Sequence, residues 1–145
     1  MNYSEKERQM TKEVAARTAQ RIVQPRAAEI DATGEFPWDL VEAFGKQGLL
    51  SIILPEQYGG TNRDITSFCL VIEEIAKVSG ASSLLILAQG VGTMPLLTGG
   101  DLSQQELFFT RISEANNLTA FAWAEAEAGL DDGFIKTKAD KEGED

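Results

Sequence analysis

Residues 49–60 read Leu49-Leu50-Ser51-Ile52-Ile53-Leu54-Pro55-Glu56-Gln57-Tyr58-Gly59-Gly60. A short apolar run ends here in a concentrated turn signal, because proline and paired glycines punctuate regular structure. Upstream, Pro37 stands where the first turn of a helix tolerates proline. Trp38, Val41 and Phe44 form that helix's apolar stripe, and Gly48 is its stop. Downstream, Asp64 or Thr66 can cap a helix that carries Phe68, Leu70, Val71, Ile72, Ile75 and Ala76. That helix is apolar around much of its circumference, so it is expected to be central. Gly80 breaks it. Ala81 to Leu97 is nearly uncharged and reads as a second buried helix, bent near Pro95 and ended by Gly99-Gly100.

Ser4 and Glu7 have capping-box spacing. Met10, Val14, Thr18 and Arg21 with Ile22 then recur at helical spacing among charged neighbours, the pattern of a long amphipathic helix. Pro25 is expected to kink or break it. The pattern resumes through Ala27, Ala28 and Ile30 and stops at Gly34. Beyond the buried helices, Ser103 and Glu106 form a second capping box, which opens a helix through Leu107, Phe108, Arg111 and Ile112.

The period then changes to two. From Leu118 to Ala124, Phe121 and Trp123 share one face and Ala120 and Ala122 the other. Residues 128–133 read as a loop. Phe134 to Ala139 alternates again, and the tail from Asp140 to Asp145 is charged. The expected fold is mainly α: a helical domain over 1–116, then the opening strands of an incomplete β-domain over 117–145. Two strands are marginal without more sheet or a packing partner. Either the chain stops inside a β-domain of a longer protein, or it is a helical protein with a hairpin packed on its own bundle.

Composition narrows the chemistry. The 145 residues carry 23 acidic and 13 basic side chains, no histidine and a net charge of −10. With 43% hydrophobic residues and a mean hydropathy of −0.17, the chain can bury a core. One cysteine, Cys69, makes no internal disulfide and is expected to be a small buried residue. No histidine and no Cys-x-x-Cys means no zinc site of the usual kind and no histidine-based triad. A pI near 4.5 argues against nucleic-acid binding. Met1 to Arg8 lacks the apolar run of a signal peptide. The longest apolar stretch, near Leu84 to Ala88, falls short of a membrane span. These features place the protein in the cytoplasm by expectation.

Several of these segments together resemble acyl-CoA dehydrogenases. Pro55-Glu56-Gln57-Tyr58-Gly59-Gly60 is similar to that family's Pro-x-x-Tyr-Gly-Gly turn. Glu73-Glu74-Ile75-Ala76, Met94-Pro95, and Gly99-Gly100 before Gln104-Gln105 follow in the family's order. Residues 121–131, Phe-Ala-Trp-Ala-Glu-Ala-Glu-Ala-Gly-Leu-Asp, resemble its flavin loop, commonly Thr-Glu-Pro-x-Ala-Gly-Ser-Asp. Residues 133–139 resemble the strand that follows. The likeness spans nearly the whole chain.

The resemblance implies an N-terminal helical bundle and the start of a truncated middle β-domain, with a C-terminal four-helix domain absent. It implies FAD as cofactor, an acyl-CoA thioester as substrate, an electron-transfer flavoprotein as partner, and a homo-oligomer. The family reaction is α,β-dehydrogenation, in which a glutamate takes the α-proton and the hydride passes to flavin. That glutamate belongs to the C-terminal domain, so no catalytic residue is assigned here. Glu73, Glu74, Glu125 and Glu127 are not promoted into the role. By match, Phe121, Trp123, Ala124, Gly129 and Leu130 lie against the flavin, and Leu87, Gly90, Val91 and Met94 face the acyl chain. Ala124, Ala126 and Leu130 depart from the usual Thr, Pro and Ser. The lost hydroxyls support an alternative, a non-catalytic helical binding or assembly module with a degenerate flavin loop.

Overall fold

The computed structural model describes residues 4–113, 117–127, 129, 133, 135–140 and 142–143. Among the described residues six α-helices lie in the order α1 Glu5–Thr18, α2 Gln24–Thr33, α3 Trp38–Lys46, α4 Ile65–Ala76, α5 Gly80–Gly99 and α6 Leu102–Ser113. The capping box at the head of α1 forms as the sequence suggests. Ser4 Oγ accepts from Glu7 N–H, and the Ser4 N–H donates to the Glu7 carboxylate at 2.8 Å.

Pro25 does not break the first helical run. A π-helical turn over Ala19–Val23 joins α1 to α2, and Gln24 N–H reaches back to Ala19 O. Pro25 then sits in the first turn of α2. The widened turn just before it accommodates the ring and its missing N–H.

The 49–60 stretch folds into turns plus a single 3₁₀ turn at Glu56–Tyr58. Tyr58 N–H donates to Pro55 O at 3.0 Å and Gly60 N–H to the same oxygen at 3.2 Å. The chain then doubles back: Asn62 N–H donates to Leu54 O and Arg63 N–H to Ile52 O, both at 2.8 Å. Backbone bonds thereby satisfy a buried irregular segment.

The core has two parts. In the larger, Ala15, Ala19 and Val23 meet Phe68, Val71 and Ile75 of α4, Ile86 of α5, and Leu40, Val41 and Phe44 of α3. Small residues on α1 let it lie close to α4. The smaller cluster joins Leu54 and Tyr58 of the turn to Phe109 and Ile112 of α6, with Tyr58 and Phe109 edge to face at 5.3 Å.

Four expectations need correction. Trp38 is 64% exposed and rests on Phe36 at 4.7 Å, because the stripe of α3 that faces the core is Leu40, Val41 and Phe44. Cys69 is exposed: it shares the outer face of α4 with Glu73 and Ala76, while Phe68, Val71 and Ile75 point inward. The cap of α6 is Asp101, not Ser103. Asp101 Oδ1 accepts from Gln104 N–H at 2.9 Å, and Gln104 Oε1 accepts from Asp101 N–H at 3.0 Å. Finally, α5, with 20 residues and a hydropathy of 1.4, is long and apolar enough to cross a membrane by length and composition. In this fold it packs on α4, and its inner face carries Ser82, Ser83, Gln89 and Thr93.

Asp64 is the cap of α4. Its Oδ1 accepts from Ser67 N–H at 2.9 Å and Ser67 Oγ–H at 2.7 Å, and its Oδ2 accepts from Arg8 of α1 at 2.6 Å. These bonds, the Ser67 hydroxyl first, hold its pKa at about 2. The folded value lies below the unfolded one, near 3.9. The stabilisation is therefore fully present above about pH 4 and is lost as the pH falls through about 2. Asp64→Ala is expected to cost about 1–2 kcal/mol at neutral pH. Urea melts should show that difference shrinking below about pH 4.

Candidate functional site

The site is built on α5 and the chain that crosses it. Ser79 caps α5 through Ser82 N–H, and Pro95 lies inside the helix without ending it. Ser82, Ile86, Gln89, Gly90 and Thr93 are buried. Of the residues matched to an acyl pocket, Leu87 is exposed and Val91 and Met94 are half-buried on the outer side of the helix. Gly90 is buried on the other side. A Cβ there would lie 2.3 Å from Phe68 Cζ, so its bareness admits the α4 ring. An apolar concavity of about 310 Å³ is lined in part by Ile30, Phe36, Pro37, Leu84, Ala88 and Leu118, and none of Leu87, Gly90, Val91 and Met94 is among its lining residues.

Residues 117–119 are fastened to α5. Thr119 N–H donates to Gln89 Oε1 at 2.8 Å, and Thr119 Oγ–H donates to Gln89 O at 3.0 Å. Residues 120–124 that follow are exposed and carry no regular secondary structure. Phe121 and Trp123 stack at 5.7 Å and are both exposed. No named strand forms among the described residues. The expected pairing of 118–124 with 134–139 is not formed among the described residues; an isolated antiparallel bridge between Glu125 and Gly129 closes a local turn instead. With no third strand to pair with, two alternating segments gain too little to form a ladder.

A carboxylate joins them instead. Glu125 accepts from the N–H groups of Lys136 and Thr137, each at 2.8 Å, and from the Thr137 hydroxyl. These bonds, the Thr137 hydroxyl first, hold the Glu125 carboxyl below its ordinary range. Glu125→Ala is expected to raise amide exchange at Lys136 and Thr137 severalfold while leaving α4 and α5 unchanged.

The glutamates set aside by the sequence reading all have partners. Glu73 and Glu74 bind Lys77 at 3.0 and 2.6 Å, Glu74 also faces Lys12 at 3.5 Å, and Glu127 pairs with Lys136. None of them stands free beside the apolar concavity.

Ala122, Trp123, Ala124, Glu125, Ile135 and Thr137 line an open depression of about 430 Å³. Among the described residues, the backbone groups of Phe121, Ala122 and Ala124 make no hydrogen bond to protein. An exposed aromatic pair beside open backbone donors and acceptors fits the edge and face of a flat heterocycle. Ala124 and Ala126 add no hydroxyl. Gly129, at φ +61°, is accounted for by the tight turn that closes the Glu125 bridge. Leu130 lies outside the described residues, as do Ala128, Asp131, Asp132 and Phe134.

Sequence patterning singles out Gly92 only as a bare position that leaves room for an acyl chain or a close helix contact, and it faces Thr119 and Ala120 instead; Gln89 and Thr119 it does not single out. A lone glutamine in the apolar run from Leu84 to Leu97 was the available signal, since a buried amide requires partners.

Residues 5–116 match the model of the acyl-CoA dehydrogenase N-terminal domain. The chain belongs to the acyl-CoA dehydrogenase family. It is 39% identical to a cyclohex-1-ene-1-carbonyl-CoA dehydrogenase of Syntrophus aciditrophicus, over 99% of this chain and 35% of that protein. Among solved structures it resembles butyryl-CoA dehydrogenase from Megasphaera elsdenii, with a TM-score of 0.78 and 25% identity over 89% of this chain and 34% of the other. A chain in a structure of the electron transferring flavoprotein of Acidaminococcus fermentans matches with a TM-score of 0.80 and 29% identity, over 89% and 34%. The chain thus spans about a third of the length of these relatives.

Proposed function

We propose that this chain is the N-terminal portion of an FAD-dependent acyl-CoA dehydrogenase and does not turn over alone. The observation that carries this reading is the fastening of residues 117–119 onto α5, after which the chain presents the exposed Phe121–Trp123 pair. Leu87, Val91 and Met94 would contact the acyl chain of the thioester. Phe121, Trp123 and Ala124 would contact the flavin, through ring faces and main-chain groups. Bound flavin supplies the two-electron oxidation of the Cα–Cβ bond. The chain's own part is to bind, orient and exclude water. Glu73, Glu74 and Glu127 are committed to ion pairs and Glu125 to its bonds with Lys136 and Thr137, which supports a proton-abstracting group other than these four.

Titrating the chain with FAD while following tryptophan emission tests the binding part. Saturable quenching is expected, and Trp123→Phe should remove most of it while Trp38 remains. Emission indifferent to FAD would sink the flavin reading.

The exposed apolar side chains Phe36, Trp38, Leu84 and Leu87 favour a second reading, a helical assembly module. A strictly monomeric chain in sedimentation would count against it.

A further inference from the structure

Gln89 is 1% exposed in a helix that needs no polar side chain there for packing. Burying an amide is unfavourable unless its groups are bonded. Its Oε1 accepts from Thr119 N–H at 2.8 Å and lies 3.3 Å from Thr119 Oγ, while its Nε2 is 3.5 Å from Asn117 O. Its main-chain carbonyl accepts from Thr119 Oγ–H at 3.0 Å and from Thr93 Oγ–H at 2.6 Å. Gly92 lies less than a turn further along α5. A Cβ at Gly92 would stand 2.7 Å from Thr119 Oγ1 and 3.1 Å from Ala120 N. Attraction from Gln89 and close approach at Gly92 therefore act on the same residue, Thr119.

We propose that Gln89, with Gly92, is a positioning residue that sets where the Phe121–Trp123 segment lies over α5. The inference rests on the functional reading given above only for what that segment contacts. Phe121 is two residues past Thr119 and Trp123 four, at roughly 3.3 Å per residue in extended chain. Thr119 is where the chain leaves α5, so a displacement there shifts the start of the segment that carries Phe121 and Trp123. Leucine at 89 would fill the same core volume without directing Thr119. The choice of glutamine is explained by the segment and not by the bundle.

The test uses the 145-residue chain in a Trp38→Phe background, so that Trp123 is the sole emitter. Gln89→Leu removes the side-chain acceptor. Gly92→Ala keeps every hydrogen-bonding group and pushes the segment outward. Thr119→Ser keeps both donors and serves as the conservative control. In Gln89→Leu and Gly92→Ala, exchange of the Thr119 amide is expected to rise about fivefold or more. Trp123 emission anisotropy is expected to fall, with exchange at Ile86 and Gly90 unchanged. Thr119→Ser should behave as the parent. Should Gln89→Leu fail to fold, Gly92→Ala decides alone. Unchanged Thr119 exchange overturns the proposal. So does unchanged Trp123 anisotropy once Thr119 is released, or acceleration across α5 as a whole. Absence of FAD quenching in the parent would defeat the flavin reading and leave this result standing.

Discussion

Gly60→Ala is expected to destabilise the fold by about 3 kcal/mol, the upper end of what overpacking usually costs. A Cβ at Gly60 would lie 2.0 Å from Leu54 O and 2.4 Å from Leu54 C. Those atoms are backbone, and the same oxygen accepts from Asn62 N–H, so they cannot swing aside. Relief requires opening the turn that seats Leu54 and Tyr58 against Phe109. Thermal melts by circular dichroism should show a loss of roughly 6–12 °C for a chain of this size. A change of a degree or two would mean the turn is not built as described.

Phe68→Ala should cost about 3–5 kcal/mol, because it removes a buried ring between α4 and α5 and leaves a cavity. Gly90 offers an internal check. Gly90→Ala alone should cost about 1–3 kcal/mol, since its Cβ would meet the tip of the Phe68 ring at 2.3 Å. With the ring already gone, the added methyl has room. The double variant should therefore be less destabilised than the sum by at least about 1 kcal/mol. Strict additivity in denaturant melts would contradict the ring-over-glycine contact.

Much of the helical architecture is legible in the residues because it is written locally. The Ser4–Glu7 box, the Pro55–Gly60 turn, and the apolar circumferences of α4 and α5 each depend on neighbours within a turn or two. Where two local codes overlap, the sequence is ambiguous. Asp101 with Gln104 and Ser103 with Glu106 have the same spacing, and only the start of α6 decides between them. Trp38 and Cys69 were misplaced because size and apolarity do not say which face of a helix meets its neighbour. Pro25 predicts a kink or a break because a π-helical turn leaves no mark in the pattern. The alternating segments after residue 117 carry strand periodicity, yet periodicity supplies no pairing partner. The Gln89–Thr119 contact spans 30 residues, so no local pattern encodes it. The matched site residues were reached through family motifs, and their arrangement around α5 emerges from the fold.

On the proposed reading, this chain holds binding surfaces of a dehydrogenase site while the proton-abstracting group lies elsewhere. Anaerobic mixing of the chain with FAD and a saturated acyl-CoA thioester, followed by flavin absorbance, tests it most directly. The flavin is predicted to stay oxidised. Bleaching by the isolated chain would contradict the claim, because one of its own residues would then have to remove the α-proton.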